Sequence, residues 1–324
     1  MKRRRALLAL VLAVVTAAAI AREPQRFAFG AFGDMPYLPG EDAMTADLID
    51  EMNARDLAFV AHVGDIKSGE SKCDDAIYAD RRTLFGRSRH PMIVVPGDND
   101  WTDCHRRAAG GYDPLERLAH FRAVFDAGDR SLGARTIALA RESDDPRFRE
   151  RFGEYRENVR WVVGDVLFVG LNVPGSNNNL GRTPDADAEY RRRSDAVNEW
   201  LEEAFVVAES GDYRAVAIFV QANPGFDGVR PARGKPDGYE ELRRVLVTHA
   251  SWFKRPILFV HGDTHTFRVD RPFVDPATGR VVPNLMRAEV YGSPRLGWVE
   301  VEVDTTRPEV FVVRGRPYRA PSSQ

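Results

Sequence analysis

Along most of the chain, short apolar runs rich in Val, Phe and Ile alternate with charged segments whose hydrophobic positions recur with helical period. The runs Phe27–Phe32, Leu57–Val63, Met92–Val95, Trp161–Leu171, Ala215–Val220 and Ile257–Val260 predict strands. A strand-rich tail follows at Arg287–Tyr291, Trp298–Val303 and Val310–Val313. Helices are predicted over 43–54, 75–85, 114–126, 185–208 and 237–252, and Asn198-Glu199-Trp200-Leu201-Glu202-Glu203-Ala204-Phe205 is the clearest amphipathic stretch. Strand-then-helix order in the first half predicts parallel βαβ units, and the uninterrupted strands near the end predict antiparallel pairing. The fold class read from this order is α/β.

The amino end departs from that pattern. Lys2, Arg3, Arg4 and Arg5 precede 16 uncharged residues from Ala6 to Ala21, closed by the small-x-small triplet Ala19-Ile20-Ala21. The run is shorter than the roughly 20 residues a spanning helix needs, so a cleaved secretory signal is expected over 1–21. A single domain over 22–324, with no membrane span and a periplasmic or secreted location, follows from that expectation. Losing four positive charges moves the formal net charge from −2 to −6. That mild acidity, with 43% hydrophobic and 29% charged residues, describes a folded protein without a generic nucleic-acid surface. Export also changes the reading of Cys73 and Cys104, the only two cysteines. An isolated pair in an oxidising compartment predicts a disulfide, which loop-entropy arithmetic values at roughly 3.5–4 kcal/mol.

Four apolar runs end in Gly-Asp: Gly33-Asp34, Gly64-Asp65, Gly97-Asp98 and Gly262-Asp263. In an open α/β sheet the residues beyond the carboxyl ends of strands share one crevice, and glycine lets the chain turn sharply there. Gly128-Asp129, Gly164-Asp165 and Gly211-Asp212 are read instead as ordinary turns. Several carboxylates crowded and desolvated together must take up protons or be compensated by a cation. His261-Gly262-Asp263-Thr264-His265 adds two imidazoles, and Gly97-Asp98-Asn99-Asp100 presents three oxygen-bearing side chains in succession. Oxygen donors with a minority of imidazole suit Mn, Mg, Ca or Fe better than a thiolate zinc site.

The order Gly33-Asp34-Met35-Pro36, Gly64-Asp65-Ile66-Lys67-Ser68-Gly69, Gly97-Asp98-Asn99-Asp100 and Gly262-Asp263-Thr264-His265 resembles the calcineurin-like metallophosphoesterase superfamily. Its blocks read Asp-x-His, Gly-Asp, Gly-Asn-His-Asp/Glu, a later histidine, and Gly-His-x-His. The resemblance spans about Phe27 to His265. It implies two mixed β-sheets packed as a sandwich flanked by helices. It further implies hydrolysis of small phosphate mono- or diesters with one or two divalent metal ions, Mn, Fe, Mg, Ca or Zn.

Carried over by position, Asp34 would bind the first metal, Asp65 would bridge both, and His265 would return to the first. Asp98 stands at the metal-binding asparagine and Asp263 at the first histidine of Gly-His-x-His, while Gln221 or Asn223 offers a carbonyl oxygen where the later histidine is missing. Pro36 occupies the first-block histidine position, and Asn99 replaces the histidine that protonates the leaving group or contacts phosphate.

In that family a metal-activated water attacks phosphorus, so no nucleophilic Ser or Cys is required. The leaving oxygen needs a donor or a stabilising contact, for which Asn99, His105, His261, Arg106 and Tyr37 are the candidates. A Cys73–Cys104 bridge would pin 101–106, and His105 with it, toward the site. Replacement of three family histidines keeps a second reading open, a noncatalytic relative that binds a phosphorylated ligand or an envelope partner. Among other features, Gly175-Ser176-Asn177-Asn178-Asn179 offers a polar loop and Arg191-Arg192-Arg193 reads as a solvated helix face. His62 reads as a core histidine, and Lys67-Ser68 as a solvated turn.

Overall fold

The computed structural model describes residues 25–320, except 227, 229, 230, 232, 233, 276 and 277, so the expected signal segment lies outside the described residues. In chain order the strands are Arg26–Phe32 (β1), Val60–His62 (β2), Met92–Val94 (β3), Ala140–Arg141 (β4), Val159–Val163 (β5), Val166–Gly170 (β6) and Ala215–Phe219 (β7). Ile257–His261 (β8), Arg268–Asp270 (β9), Val274–Asp275 (β10), Arg280–Val281 (β11), Leu285–Glu289 (β12), Gly297–Asp304 (β13) and Phe311–Pro317 (β14) complete the set.

Two large mixed sheets result. The first runs β14-β13-β1-β2-β3 and the second β4-β5-β6-β7-β8-β12-β9. In the first, β1, β2 and β3 are parallel, and β13 and β14 add on antiparallel. In the second, β6, β7, β8 and β12 are parallel, with antiparallel partners at both edges. Between parallel neighbours the chain must cross over, and helices Glu41–Asn53 and Asp75–Phe85 do so in the first sheet. The predicted α/β sandwich is therefore observed.

Period-two alternation sorts side chains between layers. From β1, Phe29 and Ala31 enter the core between the sheets, where Phe59, Trp161, Phe168 and Phe219 also lie, while Phe32 faces helices 41–53 and 75–85. Phe29 stacks on Phe59 at 4.8 Å, and Phe59 meets Phe168 edge-on at 4.8 Å. The outer face of the second sheet is covered by helices Pro184–Ser210 and Glu240–Phe253 through Trp200, Leu201, Phe205, Val245 and Leu246.

One predicted strand is corrected. Trp161–Leu171 divides into β5 and β6, because Gly164 turns the chain at φ 59° and the two halves pair antiparallel. At that same end of the molecule Gln25 packs on Gly164 and donates its amide to Thr305 Oγ1 at 2.8 Å. Cys73 and Cys104 are disulfide-bonded with Cα atoms 5.8 Å apart, tying the loop after β2 to the loop after β3.

Candidate functional site

The carboxyl ends of β1, β2, β3 and β8 come together where the two sheets meet, and each continues into Gly-Asp. Asp34 and Asp65 are buried to within 3% exposure, Asp98 to 7%, and Asp263 is half-buried. Glycine is required beside them for space. A Cβ on Gly262 would collide with Asp34 Oδ2, and one on Gly97 would collide with Asp65 Oδ1. A Cβ on Gly175 would lie 2.6 Å from Asp98 Oδ1 and 3.0 Å from Asp263 Oδ1, so those two carboxylates face the same spot.

The backbone is unusual at the same place. Among the described residues ten non-glycine positions have positive φ, and eight of them belong to this cluster: Asp34, Asp65, Ser176, Asn177, Asn178, Asn179, Asp263 and His265. Left-handed backbone costs an L-residue roughly 1–2 kcal/mol, and such strain gathers at functional sites when the surroundings enforce it.

Each carboxylate has protein donors. Asp34 accepts the Asp263 amide at 3.1 Å on both oxygens. Asp65 Oδ1 accepts the Asn99 amide at 3.0 Å, and its Oδ2 accepts Asn99 Nδ2 at 2.7 Å and the Tyr37 hydroxyl at 3.0 Å. Asp98 Oδ2 accepts the Ser176 hydroxyl at 2.6 Å, and Asp263 Oδ2 accepts the Asn223 amide at 2.8 Å. These donors leave negative charge uncompensated. Burial, then the Asp263 charge, holds the Asp34 carboxyl well above the usual range. Burial, then Asp98 and Asp100, does the same to Asp65. Asp263 is pushed to about 7 by burial and by Asp98.

His265 is the imidazole that meets this cluster. Its Nδ1 lies 2.7 Å from the Ser293 carbonyl, which fixes the proton there in the neutral ring. The Nε2 lone pair then faces Asp34 Oδ1 at 3.7 Å. Two acceptors face each other, an arrangement that calls for a proton or a metal ion between them.

The other predicted residues are placed as follows. Asn99 is at the centre, beside Asp65 and Tyr37. His105 is exposed, with Nδ1 2.6 Å from the Thr102 carbonyl, and it is Arg106 that joins the cluster, paired with Asp103 at 2.7 Å and donating to Ser176 Oγ at 3.3 Å. His261 is buried, with Nδ1 2.7 Å from the Gly262 carbonyl and Nε2 4.0 Å from Glu289. The Asn223 carbonyl oxygen accepts the Gly225 amide, and Gln221 Oε1 accepts the Gly175 amide at 2.5 Å, so both carbonyls serve the backbone. His62 is a core histidine, burial lowering it to about 3. Lys67 is corrected from a solvated turn to a buried ammonium that donates to the Ser68 and Ser71 carbonyls.

Sequence reasoning missed two braces. Asp100 accepts the amides of Asp65, Ile66 and Gly97 at 2.7–3.0 Å, binding the two Gly-Asp loops into one unit. Arg193, expected in solvent, is fully buried. It donates to Asn178 Oδ1, the Asn178 carbonyl and the Asn172 carbonyl at 2.6–3.0 Å and pairs with Glu189. Arg193 thereby holds the left-handed turn that carries Ser176. The signal was available, since Arg193 shares a helix face with Ala196, Val197 and Trp200 at spacings of three, four and seven.

No protein-family model and no curated protein matches the sequence. Solved structures do. A dimetal phosphatase from Danio rerio matches over 90% of this chain and 99% of its own, with a TM-score of 0.51 at 13% identity. PhoD matches over 94% of this chain and 73% of its own, with a TM-score of 0.53 at 13% identity. The fold is that of the calcineurin-like metallophosphoesterases. At such identities the likeness concerns architecture, and the chemistry must be argued from the site.

The similar Danio rerio protein is a dimetal phosphatase. The donor set fits a hard cation: oxygens of Asp34, Asp65, Asp98 and Asp263, with His265 presenting a lone pair to Asp34. Among the described residues, however, no three His, Cys, Asp or Glu side chains are drawn into a metal-holding arrangement. The carboxylates turn instead to the amides and hydroxyls named above. Metal binding would exchange those donors for the cation.

Proposed function

We propose that this metallophosphoesterase-fold protein is an exported, metal-dependent hydrolase of phosphate mono- or diesters. One observation carries the reading: three buried carboxylates from the first sheet and a half-buried one from the second, left-handed backbone and an imidazole acceptor coincide at the carboxyl ends of the parallel strands. Without a cation those charges are costly to hold together. Asp34, Asp65, Asp98, Asp263 and His265 would hold a divalent ion, one or two in number, whose chemistry when bound is to acidify a water and to polarise phosphoryl oxygens.

The chain's own residues supply the rest. Asn99 and Tyr37 orient Asp65, and Asp100 keeps the Asp65 and Asp98 loops in register. Arg106 is half-exposed at the mouth, with Nη2 spent on Asp103 and Ser176, so its remaining N–H groups are positioned to meet a phosphoryl oxygen. Ser293 holds the proton on His265 Nδ1 and so keeps Nε2 directed at Asp34.

The test is hydrolysis of aryl phosphate mono- and diesters with Mn, Mg, Ca, Fe and Zn, together with calorimetric metal titration. Asp65→Asn should abolish metal binding and lower turnover by at least about a hundredfold, in line with loss of a metal ligand or its support. Turnover that survives this substitution would refute the assignment. The noncatalytic alternative is favoured by one observation, the capping of both Asp65 oxygens by Asn99 and Tyr37. Metal binding without turnover on any ester would select it.

A further inference from the structure

Helix Glu41–Asn53 opens on an acid that is only 4% exposed. Burying a carboxylate is costly unless donors satisfy it, and here three do. Glu41 Oε2 accepts the amides of Tyr37 at 2.7 Å and Leu38 at 3.1 Å, and Oε1 accepts the Ser293 hydroxyl at 2.8 Å. The side chain thus binds the turn before the helix to the connection between β12 and β13, 252 residues further along the chain.

Both ends of that link lead to His265. Every polar group of Ser293 is engaged: the hydroxyl on Glu41, the amide on the Asp34 carbonyl at 2.9 Å, and the carbonyl on His265 Nδ1 at 2.7 Å. With its amide and hydroxyl both held, the Ser293 carbonyl stays aimed at the ring. On the other side Tyr37 meets His265 edge-on, with ring centroids 5.4 Å apart, and places its hydroxyl on Asp65 Oδ2 at 3.0 Å. His265 stands at φ 56°, a conformation its own backbone disfavours, so these neighbours settle where the imidazole points.

Resting on the phosphoesterase reading, we infer that Glu41 is a positioning residue of the candidate centre: through Ser293 it fixes the Nδ1–H tautomer of His265, and through Tyr37 it fixes the ring, so that Nε2 is offered to the cation. Glu41 acts through these two neighbours rather than on the cation itself. The hydrogen bonds matter here and the charge does not. Glutamine can therefore take its place, because one amide oxygen still accepts the Tyr37 and Leu38 amides, and the amide N–H₂ donates to Ser293 Oγ once that hydroxyl reverses. Alanine supplies neither.

The experiment follows the His265 ring by ¹⁵N NMR in metal-free protein at about pH 8.5, where an ordinary histidine is neutral, and Mn²⁺ affinity by calorimetry, with circular dichroism to check folding. His265→Gln identifies the signal among the seven histidines. In wild type and Glu41→Gln the ring should be held as the Nδ1–H tautomer. Glu41→Ala should mix in the Nε2–H form and weaken Mn²⁺ binding by about tenfold to a hundredfold, the usual cost of losing a group that orients a metal ligand, while Glu41→Gln stays within about threefold of wild type. Ser293→Ala, which keeps the carbonyl and loses the hydroxyl, should move both measurements in the same direction, and it decides the matter where Glu41→Ala does not fold. A folded Glu41→Ala or a Ser293→Ala protein indistinguishable from wild type, or equal losses in Glu41→Gln and Glu41→Ala, overturns the inference and leaves the phosphoesterase reading standing. Tautomer and affinity that respond as expected, in a protein that turns over no ester, keep the inference and remove the phosphoesterase reading.

Discussion

At the scale of single residues, glycines decide how close the acids come. Gly262 sits where a methyl group would strike Asp34 Oδ2, although its own φ is not left-handed, so the demand there is for space alone. Gly262→Ala should therefore displace the Asp34 carboxylate and cost about 1–3 kcal/mol, the usual range for overpacking. Denaturant unfolding checks the stability, and metal titration of the same variant should show weakened affinity. This part of the site was legible from the sequence, because Gly-Asp after an apolar run states both where the chain turns and which group it delivers. Tyr37 and Asn99 were visible as candidates, but their shared grip on Asp65 was not, since it depends on loops 28 and 34 residues away meeting in space.

Among elements, the turn Ser176–Asn179 matters most. Four consecutive left-handed residues do not persist by local preference, and Arg193 is the buried cation that holds them. Arg193→Met leaves Glu189 without its cation, with only the Asn179 side-chain amide still donating to it, and frees the turn. The expected loss is roughly 3–5 kcal/mol, as for breaking any buried pair, with faster amide exchange at 176–179. Exchange unchanged at the turn, despite lower stability, would show that Arg193 acts only on the helix. From the sequence the three adjacent arginines looked like a solvated face, because charge dominates a local reading, whereas the 3.6-residue period puts Arg193 among apolar neighbours. The β5–β6 hairpin failed for the opposite reason: two apolar strands joined by a two-residue turn read as one long run.

For the whole molecule, excess buried negative charge sets a pH dependence. Asp100, Asp103 and Asp263 are each pushed up to about 7, burial being the largest cause in every case. In chelator the folded state retains protons that the unfolded chain releases near pH 4, so this contribution is full below about pH 4 and is lost as pH rises through about 7. His62, lowered to about 3, works the other way, but only as pH falls below about 6.5. Between pH 6.5 and 8.5 these carboxylates carry the dependence together with Asp126, raised by burial to about 7, and Glu142, raised by burial to about 9, and Tm should fall by several degrees, each kcal/mol being worth roughly 2–4 °C in a large domain. Asp263→Asn should lessen that slope, and scanning calorimetry across the window decides it. A metal-free protein whose Tm is constant there would contradict the charge accounting.

β1 joins Gln25, held at Thr305, to Gly33-Asp34. The eight residue steps from Gln25 to Gly33 put those points about 26 Å apart at 3.3 Å per residue. A bead, fluorophore or solid support joined at Gln25 would therefore leave the mouth beside Asp34 turned toward open solution.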